Sequence, residues 1–150
     1  MKVIKKYSLN SSIDDVVKKV EKDFPDVKIH FDNELYFYNF NTPKLETGKA
    51  YTIMFKHNTI RLPKGKKDDL YLKCYETSPS DKFYKKEIGY VKVSQVTVST
   101  VKDFSSKYAK YEGFKTKSEM LKKLSKKYNH FIKPEEYISL YKLEKLDKKE

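Results

Sequence analysis

The sequence predicts an α+β fold in which strands outnumber helices, and three observations support this prediction. Alternating and β-branched segments dominate from Ala50 onward, and Ile88–Ser99 is the longest of them. Apolar residues at helical spacing are confined to three short segments, one near the start of the chain and two after Thr100. The chain has 150 residues, which is the length of one domain with or without a small appendage.

The first third of the chain predicts a β-α-β-β element. Residues 2–9 have the pattern of a short strand, and residues 12–24 have the apolar spacing of an amphipathic helix that Pro25 ends. Val27–Phe31 and Leu35–Phe40 then alternate on either side of a polar turn, so we expect them to pair as a hairpin. The segment 1–48 is therefore predicted to be an N-terminal extension of the main domain.

The rest of the chain predicts a β-rich domain over residues 49–146, followed by a frayed tail at 147–150. Thr100 is a plausible N-cap for the second helix, and Thr116 with Glu119 has the spacing of a capping box that opens the third. The expected strands beyond Ala50 are Tyr51–Phe55, Thr59–Leu62, Leu70–Tyr75, Ile88–Ser99 and Tyr137–Leu146.

The charge distribution favours a polyanionic partner. Residues 1–48 have no net charge, so the whole formal charge of +12 lies in residues 49–150. Together with 13 Tyr and 9 Phe, this excess suggests nucleic acid, although lysines that only solvate the surface would give the same count. No apolar run approaches the roughly 18 residues of a membrane span. With one cysteine and no visible secretory signal, we expect a cytoplasmic protein without a membrane partner.

The usual metal and nucleophile motifs do not occur in the sequence. The three histidines, His30, His57 and His130, are far apart in the chain, and we interpret them as surface or satisfied residues rather than ligands. We therefore predict no metal and no cofactor. One basic residue is unusual: Arg61 is the single arginine among 33 basic residues, and an arginine is required where a planar, bidentate fork is needed. Thr59, two residues earlier on the same predicted strand, should project from the same face.

The sequence around these residues resembles the ASCH domain family, whose members are small PUA-like β-barrels. The resemblance rests first on Lys56-x-x-Thr59-Ile-Arg61, which is similar to the K-x-x-T-x-R signature. A turn with Gly65 and Asp68-Asp69, the sequence Glu112-Gly-Phe, and a capped helix before the last strand then follow in the family's order. The Gly that the family usually has two residues before the signature Lys is missing, and a second register, Lys49 with Thr52, keeps a Gly but has no Arg.

The resemblance implies a PUA-like (ASCH) β-barrel with flanking helices that binds RNA or nucleotides in a basic cleft. The alternative is a small metal-independent hydrolase, either an amidohydrolase on acetylated cytidine or a ribonuclease, with Lys56, Thr59 and Glu112 as its catalytic set. Whether the chain is an enzyme stays open. A second alternative is a protein-interaction module that uses residues 1–48.

We further expect RNA, single-stranded or structured, as the partner and a monomeric chain. The residues expected to contact substrate or RNA are Arg61, Lys64, Lys66, Lys67, Tyr111 and Lys115. We predict that Lys56, Thr59, Arg61 and Glu112 converge in one cleft.

Overall fold

The computed structural model describes residues 3–9, 13–38, 50–64, 71–111 and 114–144. Within these ranges the secondary structure is α+β, as the sequence predicts. The strands are β1 (Ile4–Ser8), β2 (Lys28–Asp32), β3 (Glu34–Tyr38), β4 (Ala50–Phe55), β5 (Thr59–Pro63), β6 (Tyr71–Thr77), β7 (Lys85–Thr100) and β8 (Tyr137–Leu143). The helices are α1 (Ile13–Asp23), α2 (Ser106–Tyr111) and α3 (Lys117–Lys127). None of the helices in the described ranges is long and apolar enough to cross a membrane.

The long strand β7 organises the main sheet. Its second half pairs with β8 on one edge and with β1 on the other, both antiparallel, while its first half pairs antiparallel with β6. The six strands follow the order β3-β6-β7-β8-β4, with β1 beside β7 off this path. Since β3 runs parallel to β6, the sheet is mixed.

Irregularities in β7 explain the shape of this sheet. The pairing register shifts opposite Cys74/Tyr75 and again between Val93 and Gln95, so β7 carries an extra residue at each place. Gly89 lies at the first shift and has φ 139°, a backbone conformation that residues with a Cβ atom rarely adopt. Because each bulge bends and twists its strand, the sheet curls into a half-barrel.

The strands β2 and β3 do not form the expected hairpin. β2 pairs parallel with β5, and β3 pairs parallel with β6, so the two segments belong to different sheets. The hairpin prediction was wrong because alternation identifies a strand but not its partner. All three strands from the first 38 residues pair with strands that follow residue 50. The domain boundary predicted at residue 48 lies outside the described residues.

Two apolar clusters hold the layers together. The larger one lies between the sheet and α1, whose buried residues Ile13, Val16 and Val20 follow the predicted helical spacing. The smaller one packs α2 and α3 against β4 and β8, with Ala109, Met120 and Leu124 on the helical side. Burial of these faces is the main force that fixes the helices on the sheet.

The caps of the C-terminal helices differ from each other. Thr116 caps α3 as predicted, because its side chain accepts the N–H of Glu119 at 3.1 Å. Thr100 does not cap α2, which begins at Ser106; its hydroxyl instead donates to Asp103, 3.0 Å away, in a turn after β7. Both hydroxyls satisfy local polar groups, and the spacing alone does not distinguish the two uses.

Candidate functional site

The candidate site is built on the polar face of the β2–β5 ribbon. The parallel register places His30 beside Arg61 and Lys28 beside Thr59. Side chains alternate along both strands, so these residues and Asp32 share one face while the intervening apolar residues join the core. The prediction that Thr59 and Arg61 project together is therefore confirmed.

Asp32 lies at the buried end of this face. Its side chain is 5% exposed, and it accepts Arg61 Nη2 at 2.6 Å and Arg61 Nε at 3.0 Å. The hydroxyl of Tyr141, from β8, donates at 2.7 Å to Asp32 Oδ2, the oxygen that also accepts Arg61 Nε. Burial and the adjacent Asp32 carboxylate raise the pKa of Tyr141 well above its ordinary value. Burial alone would lower the pKa of Arg61, but the contact with Asp32 raises it overall.

Arg61 is thus used for its bidentate fork, as its rarity suggests, but toward an internal carboxylate. The guanidinium also donates from Nη1 to the backbone oxygen of Phe55, 3.1 Å away. Its donors connect β5 to β2 and to the end of β4, and they hold the polar face in register. Its expected role as an RNA contact stays a prediction, and the described contacts make it a positioning residue.

The turn between β4 and β5 places Lys56, His57 and Thr59 at the open end of the same face. Asn58 has φ 55°, which an asparagine tolerates in a tight turn, and the N–H of Thr59 donates to the Lys56 oxygen at 3.1 Å. The Thr59 hydroxyl donates to the backbone oxygen of His57 at 2.9 Å, so it stabilises the turn. Lys56 Nζ lies 3.4 Å from His30 Nδ1.

A groove with a volume of about 810 Å³ runs between this turn and the segment before β8. Its walls contain Lys56 and Thr59 from the signature, together with His30 and His57. Its charged side chains are balanced, three basic against three acidic: Lys28, Lys56 and Lys133 against Asp26, Glu135 and Glu136. The charges of the described residues that line this groove therefore balance, and the basic cleft that the resemblance implies stays a prediction.

Two histidines meet one glutamate at the wall of the groove: His57 and Glu136 line it, and His130 contacts both of them. Glu136 has a side chain that is 5% exposed, and its Oε1 is a close hydrogen-bond partner of His57 Nδ1. His130 Nε2 lies 3.1 Å from both carboxylate oxygens, and the Lys133 N–H donates to Oε2 at 2.8 Å. Burial would raise the pKa of Glu136, but these donors outweigh it and lower the pKa below the usual value. Two imidazoles and an ionised carboxylate in one place are a set of ligands suited to a metal ion.

Sequence reasoning missed this cluster. His57 and His130 are 73 positions apart, and neither belongs to a spacing motif. The one available signal was proximity to the signature, because His57 follows Lys56 directly. Histidines that are far apart in the chain lie close together in space: His30 and His57 both line the groove, and the rings of His57 and His130 have centroids 4.3 Å apart.

Of the other predicted contact residues, the two whose side chains the structure describes, Lys64 and Lys115, do not line this groove. Lys64 lies half-buried with its Nζ 5.1 Å from the ring centroid of Phe31, and Lys115 is exposed just before Thr116, the N-cap of α3. Tyr111 ends α2, and its side chain is outside the described residues. Glu112, Lys66, Lys67 and Lys49 also lie outside the described residues, so the predicted convergence with Glu112 stays a prediction.

A second surface of interest is the outward face of β3, β6 and β7. The pairing register aligns Tyr36 with Tyr75, Lys73 with Tyr90, and Tyr71 with Lys92. We call this surface the tyrosine–lysine face; it comprises Tyr36, Tyr71, Lys73, Tyr75, Lys85, Tyr90 and Lys92.

The centre of the tyrosine–lysine face is an aromatic pair beneath a cation. The rings of Tyr36 and Tyr75 stack with centroids 5.4 Å apart, and Lys85 Nζ lies 5.3 Å and 4.3 Å from their centroids. Tyr36 is 49% exposed. Glu34 and Glu87 also contact this face, through the Tyr36 hydroxyl and the Lys73 ammonium respectively.

Comparison of the chain with family models, with curated proteins and with solved structures found no match.

Proposed function

We propose that the chain binds single-stranded RNA across the tyrosine–lysine face. The observation that supports this most directly is the half-exposed Tyr36 ring, stacked on Tyr75 and flanked by Lys85. Unstacked bases bind to aromatic side chains, and each such contact contributes about 1–3 kcal/mol. A neighbouring ammonium adds attraction for the phosphate of the same nucleotide.

The surface continues from this face toward α3. Tyr38 follows Tyr36 on the same side of β3, and Lys127 Nζ lies 5.9 Å from its ring centroid. Lys127 ends α3, whose exposed surface contains three further lysines, Lys122, Lys123 and Lys126. A single strand that stacks on β3 and β6 would therefore meet a row of cations at one end. The lysines that give residues 49–150 their net positive charge are more numerous on this surface than in the groove, where basic and acidic residues balance.

At the level of fold, we propose that the curled mixed sheet with its helices is a PUA-like domain of the ASCH type. The α+β composition and the half-barrel are compatible with that assignment. The Lys56-x-x-Thr59-Ile-Arg61 signature lies at the turn between β4 and β5 and along β5. In this proposal Arg61 holds the turn through Asp32, and RNA contacts are made elsewhere on the sheet.

The experiment is fluorescence anisotropy with a labelled single-stranded RNA of about 12 nucleotides, with the same sequence as duplex RNA and as DNA. We expect Tyr36→Ala and Tyr75→Ala each to weaken binding about 5- to 150-fold, which corresponds to one lost stacking contact. Phe131→Ala is the matched control, because Phe131 is 78% exposed and lies outside the face.

The salt dependence of the same titration tests the electrostatic part. Log K should fall linearly with log salt concentration, with a slope of about −0.7 for each phosphate that the protein neutralises. Lys85→Ala should make that slope shallower by about one such increment. Unchanged affinity in both tyrosine variants, or an affinity insensitive to salt, would rule the proposal out.

The groove supports a second candidate, hydrolysis of a modified nucleoside. Lys56 and Thr59 line it as the resemblance implies, and Glu136 supplies a carboxylate to the same walls. We would incubate the protein with acetylated cytidine, with and without chelator, and compare Glu136→Gln. Release of acetate by the parent and loss of turnover in the variant would favour this candidate; no product would exclude it.

A further inference from the structure

We propose that His57, His130 and Glu136 hold a zinc ion at the wall of the groove. The inference goes beyond RNA binding, because it concerns a different surface and does not depend on the tyrosine–lysine face. It rests on the three ligand atoms, on the contacts that fix them, and on the space beside them.

The ligand atoms are close enough for one ion. His57 Nδ1, His130 Nε2 and a Glu136 oxygen all lie within 4.8 Å of one another. A tetrahedral zinc with bonds of about 2.0–2.1 Å holds its ligand atoms about 3.3 Å apart. His130 Nε2 is already 3.1 Å from Glu136 Oε1, so small rotations of the rings bring the three atoms onto one centre.

Neighbouring contacts hold two of these three side chains, Glu136 and His130, in place. The Lys133 N–H fixes Glu136 Oε2 at 2.8 Å, which leaves Oε1 directed at the histidines. The His130 ring stacks on Phe55, with centroids 5.9 Å apart, and its backbone N–H donates to the Ser125 oxygen at 3.0 Å. Such fixed ligands lose little freedom when an ion binds, and this raises affinity.

The chemistry of the set favours zinc over the hard cations. Two imidazole nitrogens with one carboxylate are typical of zinc sites that keep a fourth position open, whereas Mg²⁺ and Ca²⁺ prefer oxygen ligands. The fourth position would face the groove, where Lys56 and Thr59 stand on the wall. The groove also gives an ion a path from solvent to the buried carboxylate.

The competing interpretation is a hydrogen-bonded cluster in which Glu136 accepts from both rings and no ion binds. The two interpretations differ in metal stoichiometry. Tag-free, full-length protein is stripped with a chelator, dialysed and titrated with Zn²⁺ by calorimetry, with Mg²⁺ in a parallel titration. We expect one Zn²⁺ per chain, no uptake of Mg²⁺, and a tetrahedral Co²⁺ spectrum when cobalt replaces zinc.

The variants assign the site. His57→Ala and His130→Ala should weaken zinc binding by about 100-fold or more, since even the loss of an outer partner of a ligand costs about 10- to 100-fold. Glu136→Gln should also weaken it while preserving the size of the side chain. His30→Ala is the control, because His30 lines the same groove outside the cluster, and its zinc affinity should equal that of the parent.

Thermal unfolding of each stripped variant, with and without Zn²⁺, separates binding from folding. The unfolding midpoint should rise with zinc in the parent and in His30→Ala, and it should stay constant in His130→Ala. Absence of zinc binding by the parent would overturn the proposal. Parent-like zinc binding by folded His57→Ala and His130→Ala, or an equal loss in His30→Ala, would overturn it as well.

Discussion

Removing the carboxylate of Asp32 should destabilise the protein more than most single substitutions. Asp32 is the partner of Arg61, whose side chain is 17% exposed, and it also accepts the buried hydroxyl of Tyr141. Asp32→Ala would leave the guanidinium without its counter-charge and the phenol without its acceptor. Breaking such a buried pair costs about 3–5 kcal/mol, because the remaining charge stays desolvated.

An independent estimate gives a similar magnitude. Two unit charges about 4 Å apart interact by about 4 kcal/mol at an effective dielectric constant of about 20. The total free energy of unfolding of a domain is about 5–15 kcal/mol, so this loss is a large part of it. Tyr141→Phe removes only one hydrogen bond to a charged group and should cost about 1.5–3 kcal/mol.

The assay is urea denaturation followed by circular dichroism, with the midpoint compared at constant m-value. Asp26→Ala is the matched control, because Asp26 is exposed just before β2 and should change stability by less than about 0.5 kcal/mol. If Asp32→Ala does not fold, Asp32→Asn keeps the shape and one acceptor and gives a measurable, smaller loss.

The double variant Asp32→Ala with Arg61→Met gives the sharpest comparison. It removes both charges of this pair, so it should be more stable than Asp32→Ala alone. A loss below about 1 kcal/mol in Asp32→Ala, or a double variant less stable than the single one, would refute the reasoning.

Two further predictions concern single titratable groups. Burial raises the pKa of the Cys74 thiol to about 12. A thiol reagent at pH 8 should therefore leave the native protein unmodified and label one thiol per chain after denaturation. Rapid labelling of the native protein would contradict the burial of Cys74. Asp103 accepts the Val3 N–H at 2.8 Å, and this bond lowers the pKa of Asp103 below its ordinary value of 3.8. Because the folded pKa is depressed, the stabilisation is present above the unfolded pKa and is lost as pH falls through the folded one. Acid titration of stability should therefore be shallower in Asp103→Asn than in the parent below about pH 4; identical acid profiles would show that the contact is absent in solution.

The strands were more predictable than their partners. Alternation and β-branching identified the segments of β4, β5, β6 and β8 to within a few residues, because these patterns reflect local burial on a sheet. The partners of β2 and β3 come from distant parts of the chain, and parallel pairing leaves no turn signal between them. The hairpin prediction therefore failed because the local sequence of β2 and β3 does not indicate which distant strand each of them pairs with.

The candidate site was likewise predictable in its local features but not in its long-range contacts. The unique Arg61 indicated a bidentate contact, and the structure contains one, but its partner Asp32 lies 29 positions away. The cluster around Glu136 depends on two loops and the packing of α3 beside β4. Its residues are ordinary in their local sequence, so only the tertiary structure brings the imidazoles to one carboxylate.

The pairing of β1 with β7 has a consequence for synthesis on the ribosome. Ile4 pairs with Ser99, 95 positions later. Likewise, β2 and β3 cannot pair until β5 and β6, their partners, have been translated. At about 5–20 residues per second, the first strand exists for roughly 5–20 s before its partner has been translated. During that interval the nascent segment can form α1 but cannot bury the helix's apolar face against a finished sheet. The sheet therefore cannot be completed until β8 has been translated, and the segment that contains β1 and α1 is where a chaperone would have its longest opportunity to bind.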